Sequence, residues 1–226
     1  MDPSFEIDTT EQVLADWRLN SSESALTHDE KMRLQTVASI ARREQFLAGR
    51  WLAKKMLAEV GGGCPEDWRI DAGGQAKPGV IGHDLQLSIS HSGPYVACCI
   101  AGSACGIDVE RIDRPRPVAD MATLVCSGQE QDALRNLQGS AQTQHFLRLW
   151  TCKEARLKQL GLPFDLNGLR TIQMSPAKEV DAQVVTWSLL GQPNGVLSLA
   201  VDGLSRLHAR WPAHWAAGPA QWRRYI

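Results

Sequence analysis

The sequence predicts an α+β fold built as two similar halves, and three observations carry that expectation. A helix-then-strands order occurs twice along the 226 residues. The apolar spacing changes from a helical period to period two on either side of Gly61-Gly62-Gly63. Pro115 and Pro117 then break the chain near its middle, which sets the expected halves at 1–116 and 117–226.

The first ~25 residues give weak local signals. Thr27-His28-Asp29-Glu30 then fits a capping box, with Glu30 three residues after Thr27, and opens a helix carrying Leu34, Val37 and Ile40. From about Arg42 to Val60, Phe46, Leu47, Trp51, Leu52, Met56 and Leu57 recur at helical spacing, with Arg42, Arg43, Arg50, Lys54 and Lys55 on the other faces. Residues 68–110 read as β-rich: Leu85–Ser90 alternates with period two, Tyr95–Ala101 is an apolar strand, and Cys105–Arg111 is a short third one. In the second half, helical patterns cover 128–138 and 143–160, and β-like runs cover 169–175, 183–190 and 195–202. Self-similarity at the level of single residues is weak.

Apolar residues make up 43% and charged residues 22%, the range of an ordinary globular protein, and the formal net charge of −1 gives no general field for nucleic acid or bulk membrane. Anion binding must therefore come from local clusters. The six cysteines form no C-x-x-C pair, and Cys98 and Cys99 sit in an apolar run as buried thiols would, which argues against zinc. No stretch approaches the ~20 apolar residues of a membrane span. The acidic start (Asp2, Glu6, Asp8) lacks the layout of a signal peptide. A reducing, cytoplasmic setting is expected.

Three segments look like chemistry. In Gly106-Ile107-Asp108-Val109-Glu110, a strand places Asp108 and Glu110 on one face and turns Ile107 and Val109 to the core. Two such close carboxylates suit a hard divalent cation, although a solvated edge strand has the same pattern. In Trp150-Thr151-Cys152-Lys153-Glu154-Ala155-Arg156-Leu157-Lys158, a helix puts Trp150, Glu154 and Lys158 on one stripe, a pattern shared with plain surface ion pairs. Ser88-Ile89-Ser90-His91-Ser92-Gly93 closes a strand with hydroxyls, an imidazole and backbone N–H groups suited to an anion, or with an ordinary hairpin turn. Glu30-Lys31-Met32-Arg33 and Gln75-Ala76-Lys77-Pro78 add basic residues before it.

In this order, the basic helix start, Lys-Pro loop, Ser-His-Ser-Gly, Gly-Ile-Asp-Val-Glu and Trp-x-x-Lys-Glu-Ala segments resemble the phosphopantetheinyl transferases of the larger, Sfp type. The resemblance covers roughly residues 27 to 161. It implies the 4'-phosphopantetheinyl transferase fold, two pseudo-symmetric α+β halves with coenzyme A in the cleft between them. It also implies transfer of the phosphopantetheine arm to a serine of an acyl or peptidyl carrier protein domain, releasing adenosine 3',5'-bisphosphate. By similarity, Asp108, Glu110 and Glu154 would ligate Mg²⁺, with Mn²⁺ as the alternative ion, and Lys153 would contact the diphosphate. Lys158 would reach phosphate or the pantetheine arm, and Lys31, Arg33, Lys77, Ser90 and His91 would hold the CoA nucleotide. The glycine-arginine pair Gly49-Arg50 fits the family, which places Arg50 in the CoA-binding set. Glu154 or a metal-held water leads as the base for the carrier serine, with Glu130 as a weaker candidate.

Two departures are visible: Ala76 stands where the family has glycine before Lys-Pro, and Gln45 replaces a basic residue found in some members. The Trp-rich end, Trp211–Trp215 and Gln221–Tyr225, falls outside the motifs and is expected to pack on the second half, with a partner-binding or membrane-touching tail as the alternative. A monomer is expected, without membrane or nucleic-acid partners. An inactive member that only binds CoA or carrier domains is the alternative; a metal-dependent phosphodiesterase fits the near-neutral charge poorly.

Overall fold

The computed structural model describes residues 1–21, 25–71, 77–176, 183–190, 194–202, 207–212, 215 and 220–224. In chain order they form β1 (Ser4–Thr9), α1 (Thr10–Asn20), α2 (His28–Thr36), α3 (Ile40–Gly61), β2 (Gln86–Ser92), β3 (Tyr95–Ala101) and β4 (Cys105–Arg111). There follow α4 (Val118–Val125), α5 (Gly128–Arg135), α6 (Gly139–Leu160), α7 (Leu166–Thr171), β5 (Met174–Pro176), β6 (Val184–Leu189), β7 (Gly195–Val201), β8 (His208–Arg210) and β9 (Ala220–Arg224). One sheet runs β2-β3-β1-β8 and the other β4-β7-β6-β9-β5. The α+β class is as expected.

Three apolar layers hold these elements together. The α1 and α3 helices pack on the outer face of the first sheet, α4 to α7 on the outer face of the second, and the two inner faces share a middle core. Strand β3 is apolar throughout because both its faces are covered. Val96, Cys98 and Ile100 meet the helices, while Tyr95, Ala97, Cys99 and Ala101 enter the middle layer.

Each half carries the same buried latch. In the first, Glu30 Oε2 accepts the Thr27 N–H (2.9 Å) and Lys54 Nζ (3.0 Å), while Lys54 also donates to the Ala25 carbonyl at 2.6 Å. In the second, Glu130 Oε2 accepts the Ser127 N–H (2.7 Å) and Lys153 Nζ (2.6 Å), and Lys153 donates to the Val125 carbonyl at 2.6 Å. Both glutamates complete capping boxes. The boxed helix start is thus tied to the long helix that follows it, α3 or α6. This repeat is the residue-level sign of two related halves that simple self-similarity does not reveal.

Several expectations need correction. Strand β4 pairs with β7, from Cys105↔Val201 to Arg111↔Gly195, so the acid-bearing strand belongs to the second sheet. The first sheet thus takes β1, β2, β3 and β8, and the second begins with β4 at Cys105. Residues 166–171 are helix α7, and only Met174 and Ser175 of the expected 169–175 run are strand. The weakly marked start forms β1 and α1. The C-terminal segment packs on both halves: β8 pairs with β1 and β9 with β6 and β5. Trp211 meets Phe5 and Trp187, and Trp215 meets Tyr95. His214, Tyr225, Gln75 and Ala76 lie outside the described residues.

Gly106 sets how closely β4 approaches α6. A Cβ there would lie 1.9 Å from the Ala155 carbonyl oxygen and 2.5 Å from the Gln159 nitrogen, both backbone atoms that cannot swing away. Gly106→Ala is expected to cost about 1–3 kcal/mol or more, because strand and helix must separate. A urea denaturation series checks this, and an unchanged midpoint would contradict it.

Candidate active site

The close approach of β4 and α6 brings their charged residues together. Period two puts Asp108 and Glu110 on one side of β4, and helical spacing aligns Glu154 with Lys158 on α6. Lys158 Nζ lies 2.7 Å from Asp108 Oδ1, 3.0 Å from the Ile107 carbonyl and 3.9 Å from Glu154 Oε2. From β2, Ser90 donates to Asp108 Oδ1 at 2.8 Å and Ser92 to Glu110 Oε2 at 2.7 Å. Arg116, fixed between Pro115 and Pro117, holds the same Glu110 oxygen at 2.5 Å.

The electrostatics show an excess of negative charge. Burial first, and then the adjacent Asp108 carboxylate, push the Glu154 carboxyl well above the usual range, and it shares a hydrogen bond with Asp108. Glu110 is also raised, by burial; Ser92 pulls it down, Asp108 pushes it up, and Arg116 pulls it down. Burial alone would lower Lys158, but Asp108 and Glu154 hold it above the ordinary lysine value. Asp108 Oδ2 is buried without a hydrogen-bond partner. An orphaned carboxylate oxygen beside a second acid that resists ionising is the donor set a divalent cation would relieve.

The expected triad is only partly assembled. Asp108 and Glu154 are in contact, whereas Glu110 is turned to Ser92 and Arg116. Among the described residues, no three His, Cys, Asp or Glu side chains are grouped as a ready metal cage.

Beside the acids runs a groove of about 840 Å³, lined by Arg33, Arg42 and Arg114 together with His91, Ser92, Phe46 and Glu110. Three arginines around one groove are donors suited to an anion, and the volume is in the range of a cofactor-sized ligand. Arg33 and His91, two of the expected nucleotide contacts, both line this groove. Arg42, Arg114 and Arg116 were not singled out for this site by the sequence, although two of them flank Pro115 immediately after the acid strand.

Burial and the Lys158 charge lower the His91 pKa, so the imidazole is neutral in the free chain near pH 7. A phosphate in the groove must raise it. Imidazole NMR titration with and without coenzyme A is expected to show that upward shift, and no shift would remove His91 from the anion site.

The other expected contacts lie elsewhere. Lys153 is fully buried, with its ammonium donating to Glu130 and to the Val125 carbonyl. Glu130 accepts from the Ser127 N–H, Lys153 and, at 2.8 Å, the Met174 N–H. Arg50 is buried, 3.7 Å from Glu30 and stacked over Phe46. Lys77 donates to the Cys105 carbonyl at 2.7 Å, at the far end of β4 from Glu110. Lys31 lines a separate groove of about 480 Å³ with Lys54, Arg69, Glu66 and Asp67. The Ser90 hydroxyl is committed to Asp108 and to the Val109 N–H.

Acids on a strand and a helix lie beside an arginine-lined groove, and residues 104–197, which hold those acids, match the model of the 4'-phosphopantetheinyl transferase superfamily. The chain is similar to named 4'-phosphopantetheinyl transferases. It is 29% identical to the 4'-phosphopantetheinyl transferase HetI of Nostoc sp. over 82% of either chain. It is 34% identical to the transferase Sfp of Bacillus subtilis over 40% of this chain and 41% of that one. It is 35% identical to AcpT of Escherichia coli over 53% and 59%, so the match spans only about half the length of these last two.

Proposed function

We propose that the chain transfers the 4'-phosphopantetheine arm of coenzyme A to a serine hydroxyl of acyl or peptidyl carrier protein domains, as an enzyme of the larger Sfp type. The observation that carries this reading is the Asp108–Glu154–Lys158 cluster opening beside the arginine groove, inside the segment that matches the superfamily. Two sheets with their own helices and matching latches in one chain support the two-half type.

In the reaction, the carrier serine oxygen bonds to the phosphorus that bears pantetheine, and the bridging P–O bond of the diphosphate breaks. Adenosine 3',5'-bisphosphate leaves with that electron pair. Arg33, Arg42 and Arg114 hold the anionic nucleotide. Lys158, whose side chain is 30% exposed, is the cation within reach of the diphosphate and offsets charge in the transition state. Glu154 is the acid placed to take the serine proton; once ionised it lies against Lys158.

Asp108 and Glu154 would hold Mg²⁺ (or Mn²⁺), joined by Glu110 when it exchanges Arg116. Such an ion, when bound, neutralises charge on the phosphates and restores the ionised form of Glu154. All six cysteines are free and five are buried, which fits a reducing, cytoplasmic compartment. Among the described residues, no helix is long and apolar enough to cross a membrane. We take the working unit to be a monomer. Release of adenosine bisphosphate that requires both coenzyme A and a carrier protein separates transfer from hydrolysis. Release without a carrier would count against this reading.

A further inference from the structure

β2 and β4 are edge strands of different sheets, yet they run side by side. An edge strand must satisfy its outward N–H groups, and here three serine hydroxyls do so in place of a backbone ladder. Ser88 Oγ accepts from the Ile107 N–H at 3.1 Å, Ser90 Oγ from Val109 at 3.3 Å and Ser92 Oγ from Arg111 at 3.3 Å. Each step advances two residues on both strands, so the seam is parallel and in constant register.

A hydroxyl has one proton and two lone pairs. Once Ser90 accepts from Val109, its own proton goes to Asp108 Oδ1, one residue back on β4. Ser92 does the same for Arg111 and Glu110 Oε2. The position equivalent to those two acids opposite Ser88 is Gly106, which has no side chain to receive a bond. Ser88 therefore braces the seam alone, whereas Ser90 and Ser92 brace it and also grip a carboxylate. Ser90 and Lys158 both hold Oδ1, and Asp108 Oδ2 is the oxygen with no hydrogen-bond partner.

We infer that Ser90 and Ser92 are positioning residues: their hydroxyls fix the rotamers of Asp108 and Glu110 so that the free oxygens face the place of a divalent cation. This rests on the cation-binding reading above. The seam has a built-in control, because Ser88 shares the structural role and lacks the positioning one.

The test measures Mn²⁺ affinity of the full chain without coenzyme A or carrier, from the free-Mn²⁺ electron paramagnetic resonance signal, alongside urea midpoints. Without coenzyme A, no effect can arise through a substrate contact. Ser88→Ala, Ser90→Ala and Ser92→Ala are all expected to lower the midpoint. Only Ser90→Ala and Ser92→Ala are expected to weaken Mn²⁺ binding, by about 10–100-fold as for other groups that orient metal ligands. Ser92→Thr, which keeps the hydroxyl, should restore most of the loss. Unchanged affinity in Ser90→Ala and Ser92→Ala, or an equal loss in Ser88→Ala, would overturn the inference while leaving the cation reading standing. Equal Mn²⁺ binding by the wild type and Asp108→Asn would overturn both.

Discussion

Glu130→Ala lowers the stability of the chain by about 3–5 kcal/mol, the expected cost of stripping one partner from a buried ion pair. The carboxylate accepts from the Ser127 N–H, the Met174 N–H and Lys153 Nζ, and its removal orphans all three donors at once. Lys153 has no exposure through which water could replace the lost partner, so its ammonium is left with the Val125 carbonyl alone. Lys153→Met is expected to cost less, because Glu130 keeps two backbone N–H donors and the methionine fills a similar volume. The same order should hold in the first half for Glu30→Ala and Lys54→Met. Urea unfolding of the four variants measures it. Glu130→Ala as stable as the wild type would show that the latch does not hold α5 to α6.

Glu154→Gln, by contrast, removes transfer and spares the fold. The acid sits buried against Asp108, so its ionised form is unwelcome until a cation arrives, and a neutral isostere relieves that repulsion. Loss of a cation ligand and of the acid placed as base is expected to lower turnover at least ~100-fold. The stability difference has a defined pH sign. The folded-state pKa of Glu154 is raised, so the folded chain holds that proton more tightly than the unfolded one. Its contribution is fully favourable below the ordinary carboxylate value and is lost as pH rises through the raised one. The glutamine variant lacks this loss, so its stability advantage should grow with pH over that window. Near-normal turnover in Glu154→Gln would remove the residue from the chemistry. An advantage that shrank with rising pH would contradict its environment.

The parts of the fold that were legible in the sequence are those written in local patterns. The Thr27–Glu30 capping box, the α3 stripe and the alternation before Ser90 each declare themselves within a few residues. β1 and α1 do not: Ser4–Thr9 becomes a strand by pairing with β3, some ninety residues away, which no local window reports. β4 is legible as a strand, but its ladder partner β7 lies some ninety residues on, beyond any local window.

At the site, strand and helix periods fix which side Asp108, Glu154 and Lys158 face, and the fold brings the three together. Lys153 shows the limit of that reasoning. It is adjacent to Glu154, so the helix turns it roughly 100° away, toward α5 rather than the cleft. A signal was present all the same: Ser127-x-x-Glu130 repeats the Thr27-x-x-Glu30 box one hundred residues on, with Lys153 standing where Lys54 stands. Arg42 and Arg114 were hidden because only the folded chain brings α3 and the Pro115 segment to one groove.

The central claim is that this chain moves an intact phosphopantetheine arm from coenzyme A to a carrier serine. Intact-mass spectrometry of a panel of carrier proteins incubated with the chain, coenzyme A and Mg²⁺ tests it most directly. The account predicts one phosphopantetheine per carrier domain, with no adduct when the carrier serine is replaced by alanine or when Glu154→Gln is used. Coenzyme A cleaved with every carrier left unmodified, or an adduct that persists on the serine-to-alanine carrier, would contradict it.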